Sequence, residues 1–369
     1  MTYAFSLLKP SKLLQSLMRA GEALARFDER VSRSPIRDGF LQRQNFQDAV
    51  SSLWIDGELV HVEDLVLHDA RMDIRAPTNE IVNAHRILRA RRLMESHAPQ
   101  WPFSDEGINL LRGKSLRTQS TRPTADADHA DTEQGDSEDT DNADNALAGE
   151  LAEMDALLLR SSATVRDAMS YRSSPLPSAQ TLVKGDAEEE SEDDRLDRWR
   201  KLIDQCVDYP GPLRAAILLD AWRDLEVLDR SPWLGRQLAA ASLRAGGLAT
   251  LPALNTGLRA IPRERRHSQH QEERLIAILD GMYEASQLGM KEHDRLLNGK
   301  SRMERRLAGR RSNSRLPDLI ELVLAHPVVS AAMIVKALGT TPQGAVVLAN
   351  QLELREMTGR GRFRAWGIL

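Results

Sequence analysis

Pro327, Gly339 and Pro342 cut residues 316–369 into three short helices, and little else can be built from pieces of that length and polarity. Pro317 sits where a first-turn proline belongs. Leu319, Ile320, Leu322, Val323 and Leu324 follow as one apolar helical face. His326-Pro327 ends that helix, because the residue before proline avoids the helical region. Ser330 is placed to cap a second helix, Ala331 to Leu338, with Met333, Ile334, Ala337 and Leu338 as its apolar set. Gly339 supplies the left-handed turn that closes it. Thr340 or Thr341 caps a third helix, which opens on Pro342. Its inner side draws on Ala345, Val346, Leu348, Ala349 and Leu352, and its outer side on Gln343, Gly344, Val347, Asn350 and Gln351. Leu354 to Met357 and Phe363 to Ile368 then pair as strands around the turn Thr358-Gly359-Arg360-Gly361.

Helix, helix, tight turn, helix and basic hairpin is the order of a winged helix-turn-helix, a fold that sets one helix in a DNA major groove. Arg360, Arg362 and Arg364 are candidates for phosphate or minor-groove contact from the wing. Thr340, Thr341, Gln343, Gly344 and Asn350 are candidates for the groove-facing helix, since amides and hydroxyls read base edges. The third helix carries no Lys or Arg, so a protein-binding role for the same module stays open. Just upstream, Arg306, Arg310, Arg311 and Arg315 form a candidate phosphate-contact arm; a solvated helix end is the alternative.

The net charge of −4 conceals a partition. Thr124 to Asp144 holds nine Asp/Glu and no Lys or Arg, and Asp186 to Asp194 holds seven more. Without these 16 charges the remainder carries +12. Lys300 to Leu369 has 12 Lys/Arg against 5 Asp/Glu. The acidic tracts read as solvated linkers, or as competitors with nucleic acid for the basic end. Aromatics are only 4% of the chain, so its cores are aliphatic and alanine-rich, which favours helix. A single cysteine, Cys206, excludes an internal disulfide and fits a reducing compartment. With no signal peptide and no apolar run of membrane-spanning length, a cytoplasmic location without membrane contact is expected.

The chain divides into a helical region over 1–112, a disordered acidic linker over 113–148, a helix over 149–171, an acidic linker over 172–194, a second helical region over 195–309 and the winged helix-turn-helix over 310–369. In the first region Ser11 caps a segment running to about Ser32. Further segments cover Arg37 to Ile55 and Val62 to Ala70, and Thr78 caps the next, to about Ser96. Trp54 reads as a core anchor.

The run Ser51-Ser52-Leu53-Trp54-Ile55-Asp56-Gly57 resembles the inhibitory motif of Fic-domain proteins: Ser or Thr, three residues, Glu, then Gly or Asn. Ser52 and Gly57 match, and Asp56 stands for the glutamate. Val62 to Leu67, Asn79 to Asn83, His326 to Ser330 and Glu356 to Arg360 are also similar to the N-terminal region and the terminal winged helix of such proteins. The resemblance implies a Fic-like helical body. The Fic signature would fall on Leu225 to Arg236, where only Asp229, Gly235 and Arg236 match. Leu225 takes the place of the histidine that acts as base. Arg230 and Pro232 take the places of nest glycines, and Trp233 that of the first arginine. Leucine cannot accept a proton, and Pro232 has no N–H to donate. The likeness covers about 110 residues at the start and 55 at the end. It points to a bacterial, rhizobial-type family with a degenerate Fic body and a C-terminal helix-turn-helix.

Two other groupings fall short of a site. Gly113-Lys114-Ser115 lacks the glycine a phosphate loop needs five positions earlier, where Ile108 stands. His267, His270 and Glu273 have ligand-like spacing, but Arg263 to Arg266 beside them repels a cation. No metal and no cofactor are expected.

The reading is therefore a mainly α chain: a Fic-like helical body interrupted by disordered acidic linkers, plus a C-terminal winged helix-turn-helix. The expected function is transcriptional regulation by binding double-stranded DNA, without enzymatic activity, as a homodimer or with a protein partner. The alternatives are a pseudo-Fic protein-interaction module and an adenylyl transferase.

Overall fold

Helices carry most of the described chain. The computed structural model describes residues 10–73, 76–113, 190–229, 231–307, 315–357 and 364–368. The helix expected over 149–171 and nearly all of both linkers lie outside these residues, as do Lys114 and Ser115. The chain separates into two units, Met1–Pro99 with Glu190–Leu369, and Gln100–Glu189.

In the first unit, α1 (Pro10–Ser32), α2 (Arg37–Asp56), α3 (Val62–Asp69) and α4 (Asn79–Ser96) follow in order. The second unit contributes a short 3-10 turn, Trp101–Phe103, and α5 (Asp105–Leu111), whose first turn is capped by Ser104 Oγ accepting from Gly107 N at 3.0 Å. The first unit resumes with α6 (Glu192–Gln205), α7 (Gly211–Asp224), α8 (Pro232–Ala245), α9 (Leu254–Ala260), α10 (Arg263–Arg266) and α11 (Gln271–Arg305). Its C-terminal part is α12 (Leu316–Ala325), β1 (Val329–Ser330), α13 (Ala331–Leu338), α14 (Pro342–Gln351), β2 (Arg355–Glu356) and β3 (Ala365–Gly367).

The 35-residue α11 is the spine, about 52 Å long at 1.5 Å per residue. α1 and α9 pack along it, and α2 crosses to α4, α9 and α12. The closest approach is made where side chains are missing. A Cβ on Gly257 would fall 1.9 Å from the Gly281 carbonyl oxygen, so any larger residue there separates α9 from α11. Phe40 and Phe46, both fully buried, supply the aromatic part of the α2 face. Trp54 does not: it is 37% exposed and stacks under the Arg259 guanidinium at 5.0 Å. Its neighbours Ser51, Ser52 and Leu53 are buried, so Trp54 takes the open side of the last turn of α2.

Arg91 fills the centre of the unit with no exposed surface. Its Nε donates to Asn45 Oδ1 (2.8 Å), Nη1 to Asp48 Oδ2 (2.8 Å) and Gln237 Oε1 (3.0 Å), and Nη2 to the Leu251 carbonyl (3.2 Å). Asp48 also accepts from Asn255 N and Nδ2, each at 2.8 Å, and from Gln237 Nε2 at 2.9 Å. A buried ion pair is tolerable only when its remaining donors and acceptors are met this way.

Two boundaries differ from the sequence reading. Ser11 lies inside α1, because Pro10 already occupies a first-turn position. α6 begins at Glu192, inside the expected linker. There Ser191 Oγ accepts from Asp194 N at 3.2 Å, and Glu192, Asp193 and Asp194 lie at the positive end of the helix dipole. The acids that marked a linker thus serve as a helix start.

Candidate functional site

The tail is built by local backbone accounting. Pro317 opens α12, and α12 ends at Ala325, one residue before His326-Pro327. Ser330 Oγ caps α13 by accepting from Met333 N at 3.2 Å, and Gly339 closes it at φ 57°. Thr341 is the cap of α14, its Oγ1 accepting from Gly344 N at 3.0 Å. α13 and α14 meet at 100°, within the range of a helix-turn-helix. β2 pairs with β3 as the expected hairpin, and β1 adds on the other side of β3 to give the order β1-β3-β2.

α14 buries Ala345 and Ala349, with Leu352 directly after it, and leaves Val346 and Leu348 half-buried. Gln343, Val347 and Asn350 are exposed at helical spacing, Val347 by 52%. They place two amides and a branched apolar group on one strip, chemistry suited to base edges and thymine methyls. Thr341 is engaged locally. Thr341 is the cap, and a Cβ on Gly344 would come within 2.4 Å of Thr340 Oγ1, so Gly344 is needed for the tight turn.

The candidate cations separate. Arg364 donates through Nε (3.1 Å) and Nη2 (2.7 Å) to Glu356 Oε2, and its guanidinium lies 5.4 Å from the Trp366 ring centre. Arg306 of the supposed arm binds the Leu352 carbonyl and Glu353, fastening the tail to α11. Arg315 is exposed, whereas Arg310, Arg311, Arg360 and Arg362 lie outside the described residues. The sequence reading passed over Lys336, in the last turn of α13, and Arg355, on β2. Both are exposed, and neither forms an ion pair among the described residues. Their adjacency to the helix-turn-helix was the available signal.

The tail is fixed to the body by cations of α2 and α11. Arg43 on α2, 4% exposed, donates through Nη1 to the carbonyls of Val323 (3.1 Å) and His326 (2.8 Å), and through Nη2 to that of Pro327 (3.4 Å). Burial pulls its pKa down to about 10, against the pull of Glu292 in the other direction. Arg295 Nη1 reaches the Ile368 carbonyl at 2.6 Å, and Lys300 pairs with Glu321 at 2.7 Å. Gly39 lies against Leu324, where a Cβ would meet Leu324 Cβ at 3.1 Å. His326 packs on Phe46, its Nδ1 3.0 Å from the Leu322 carbonyl; burial lowers its pKa.

A second centre joins the Ser52, Asp56 and Gly57 motif to α8. Arg236 Nη1 donates to Asp56 Oδ1 at 2.9 Å. Its Nη2 reaches Asp56 Oδ2 (2.5 Å), Ser52 Oγ (2.8 Å) and the Ser52 carbonyl (3.2 Å). Gly57, at φ 91°, turns the chain out of α2 directly after Asp56, its N–H bonding the last-turn carbonyls. Leu225, directly after α7, is buried. Burial also pushes the Cys206 thiol up to about 11, leaving it neutral at physiological pH. His267 follows α10 and His270 precedes α11, so the pair does not share one helical face.

Residues 186–308 match a family described as "Protein of unknown function (DUF1612)", and residues 316–369 match the "HTH DNA binding domain" family. The Sinorhizobium fredii protein "Uncharacterized protein y4cF" is 44% identical over a 386-residue alignment spanning 100% of both chains. The chain belongs to the family of that protein. Its C-terminal part is a helix-turn-helix DNA-binding domain, and its body is mainly helical. Among the described residues no single helix is long and apolar enough to cross a membrane.

Proposed function

We propose that this chain is a transcriptional regulator that binds double-stranded DNA through a winged helix-turn-helix, with Gln343, Val347 and Asn350 facing the bases. The observation that carries the reading is that exposed strip on a capped helix, set after a 100° turn and matched by a helix-turn-helix family. Lys336, Arg355, Arg315 and the tip arginines Arg360 and Arg362 supply phosphate contacts around it. The body is Fic-like and does not transfer nucleotides. What supports this is that Asp56 of the matching motif holds Arg236, and that Leu225, where the resemblance puts the base, cannot accept a proton.

The test is DNA affinity as a function of salt. Replacing Arg360, Arg362 and Arg364 together with Ala weakens binding and flattens the slope of log K against log salt by roughly 0.9 for each phosphate that is no longer neutralised. An unchanged slope removes the wing from the interface. Incubation with labelled ATP leaves candidate target proteins unmodified; AMP transfer contradicts the inactive body.

One observation favours a second reading, in which the tail binds a protein. Val347 and Met357 are exposed by 52% and 46%, and Arg364 is already paired with Glu356. Under that reading DNA affinity is weak and independent of sequence.

A further inference from the structure

At the meeting point of α2 and α7 to α11 lies an open cavity of about 480 Å³, within the size range of small-molecule sites, roughly 300–1,000 Å³. Its apolar wall is Ile55, Leu219, Val227, Leu258 and Ile278. Its polar wall brings Arg223, Arg236 and Arg266 together with His267 and the indole of Trp222.

The carboxylates of this wall are largely committed. Asp56 is held by Arg236, Asp220 by Arg274 at 2.6 and 3.0 Å, and Asp229 by Arg195 at 3.0 Å; Glu226 is exposed. Arg266 has no carboxylate within 4.0 Å among the described residues. Its Nε donates to the Ile261 carbonyl at 3.1 Å, and its own carbonyl accepts from Arg223 at 2.8 Å. Burial and then the neighbouring Arg236 and Arg263 lower the pKa of Arg266, while Asp56 and Glu264 pull it the other way. Two buried donors of the wall, Trp222 Nε1 and Arg236 Nε, have no hydrogen-bond partner. Trp222 cannot turn freely to find one. Its ring is pinned against the Gly235 backbone, where a Cβ would fall 2.2 Å from Cγ, and stands edge-on to Trp199 at 4.9 Å. Residues lining one cavity thus hold two unmet buried donors and a guanidinium that no carboxylate holds, the groups an acceptor would satisfy.

We infer that this cavity binds a small organic acid: an anionic carboxylate or phosphate head at Arg266 and Trp222, with an apolar aryl or alkyl body against Ile55, Leu219 and Ile278. The site is independent of the DNA-binding reading, because it needs nothing from the tail. Its walls are nevertheless shared with it. α2 ends at the cavity with Asp56 and holds the tail with Arg43, and α11 lines the cavity with Ile278 and holds the tail with Arg295.

Isothermal titration of the full chain with phenylacetate and with phenyl phosphate tests the inference, the two probes separating a carboxylate from a phosphate head. At least one binds, and neutral phenylacetamide binds at least about tenfold more weakly, as expected for hydrogen bonds to a charged group. Arg266→Gln, a half-exposed position that leaves the melting temperature in place, weakens the acid by about tenfold or more. Arg26→Gln, on an exposed face of α1, leaves it unchanged. Equal binding of the amide, unaltered affinity in Arg266→Gln, or no binding of either acid at millimolar concentration overturns the inference.

Discussion

Arginine is used in opposite ways by the body and by the tail. In the body Arg43, Arg86, Arg91, Arg236 and Arg274 are all at least nine-tenths buried. Those whose partners are described bind carboxylates, backbone carbonyls or both. In the tail Arg315, Lys336 and Arg355 are exposed, and Arg364 lies over Trp366 at the surface. The contrast teaches that a count of positive charge along the sequence is not a count of positive surface. Five arginines of the body are spent inside the protein, and Arg306, which seemed an obvious phosphate contact, is spent on the Leu352 carbonyl and Glu353.

The comparison breaks most visibly at Arg91. Arg91→Leu leaves Asp48 buried without its charged partner and costs about 3–5 kcal/mol, read from denaturant melts. Arg355→Ala changes stability by no more than about 0.5 kcal/mol, as surface substitutions do. Similar losses at the two positions would erase the distinction.

Arg43 sharpens it, since one residue of the body serves the tail. Arg43→Ala leaves three buried carbonyls short of a donor and costs about 2–3 kcal/mol, with faster proteolytic release of the tail as the second readout. Loss of stability with no faster release would place Arg43 in the body alone.

His326 gives the smallest effect, and its sign follows from burial. The folded pKa is lowered, so between the folded value and the ordinary one near 6.5 the unfolded chain holds more protons. Stability from this group is complete above about pH 6.5 and declines as the pH falls through the folded pKa. His293, buried on α11 with its pKa also lowered, adds in the same direction. The melting temperature therefore drops from pH 8 to pH 5, and His326→Gln makes the drop shallower. An equally steep drop in the variant assigns the effect to other groups.

What was legible in the sequence follows the range of the interaction. Ser330, Gly339, Thr341 and the prolines each satisfy or remove a backbone group within four residues, and the tail they define is present as read. α3 and α4 end within a residue of their expected bounds for the same reason. The misjudged places depend on distant partners. Trp54 looked like core, because nothing local shows which side of the last turn of α2 stays open. Arg91 joins residues up to 161 positions away, and Arg43 reaches up to 284, so neither network leaves a mark in local spacing. The Asp56–Arg236 contact spans 180 positions, yet its two ends were both singled out, because each lies in a motif of its own.

Selection from a random duplex library with the purified full chain decides whether the exposed strip of α14 reads DNA sequence. One motif is enriched, and it is lost in a Gln343→Ala, Asn350→Ala double variant that keeps its melting temperature and its sequence-independent affinity at low salt. A library that emerges unenriched, or a motif that survives the double variant, contradicts base reading by α14.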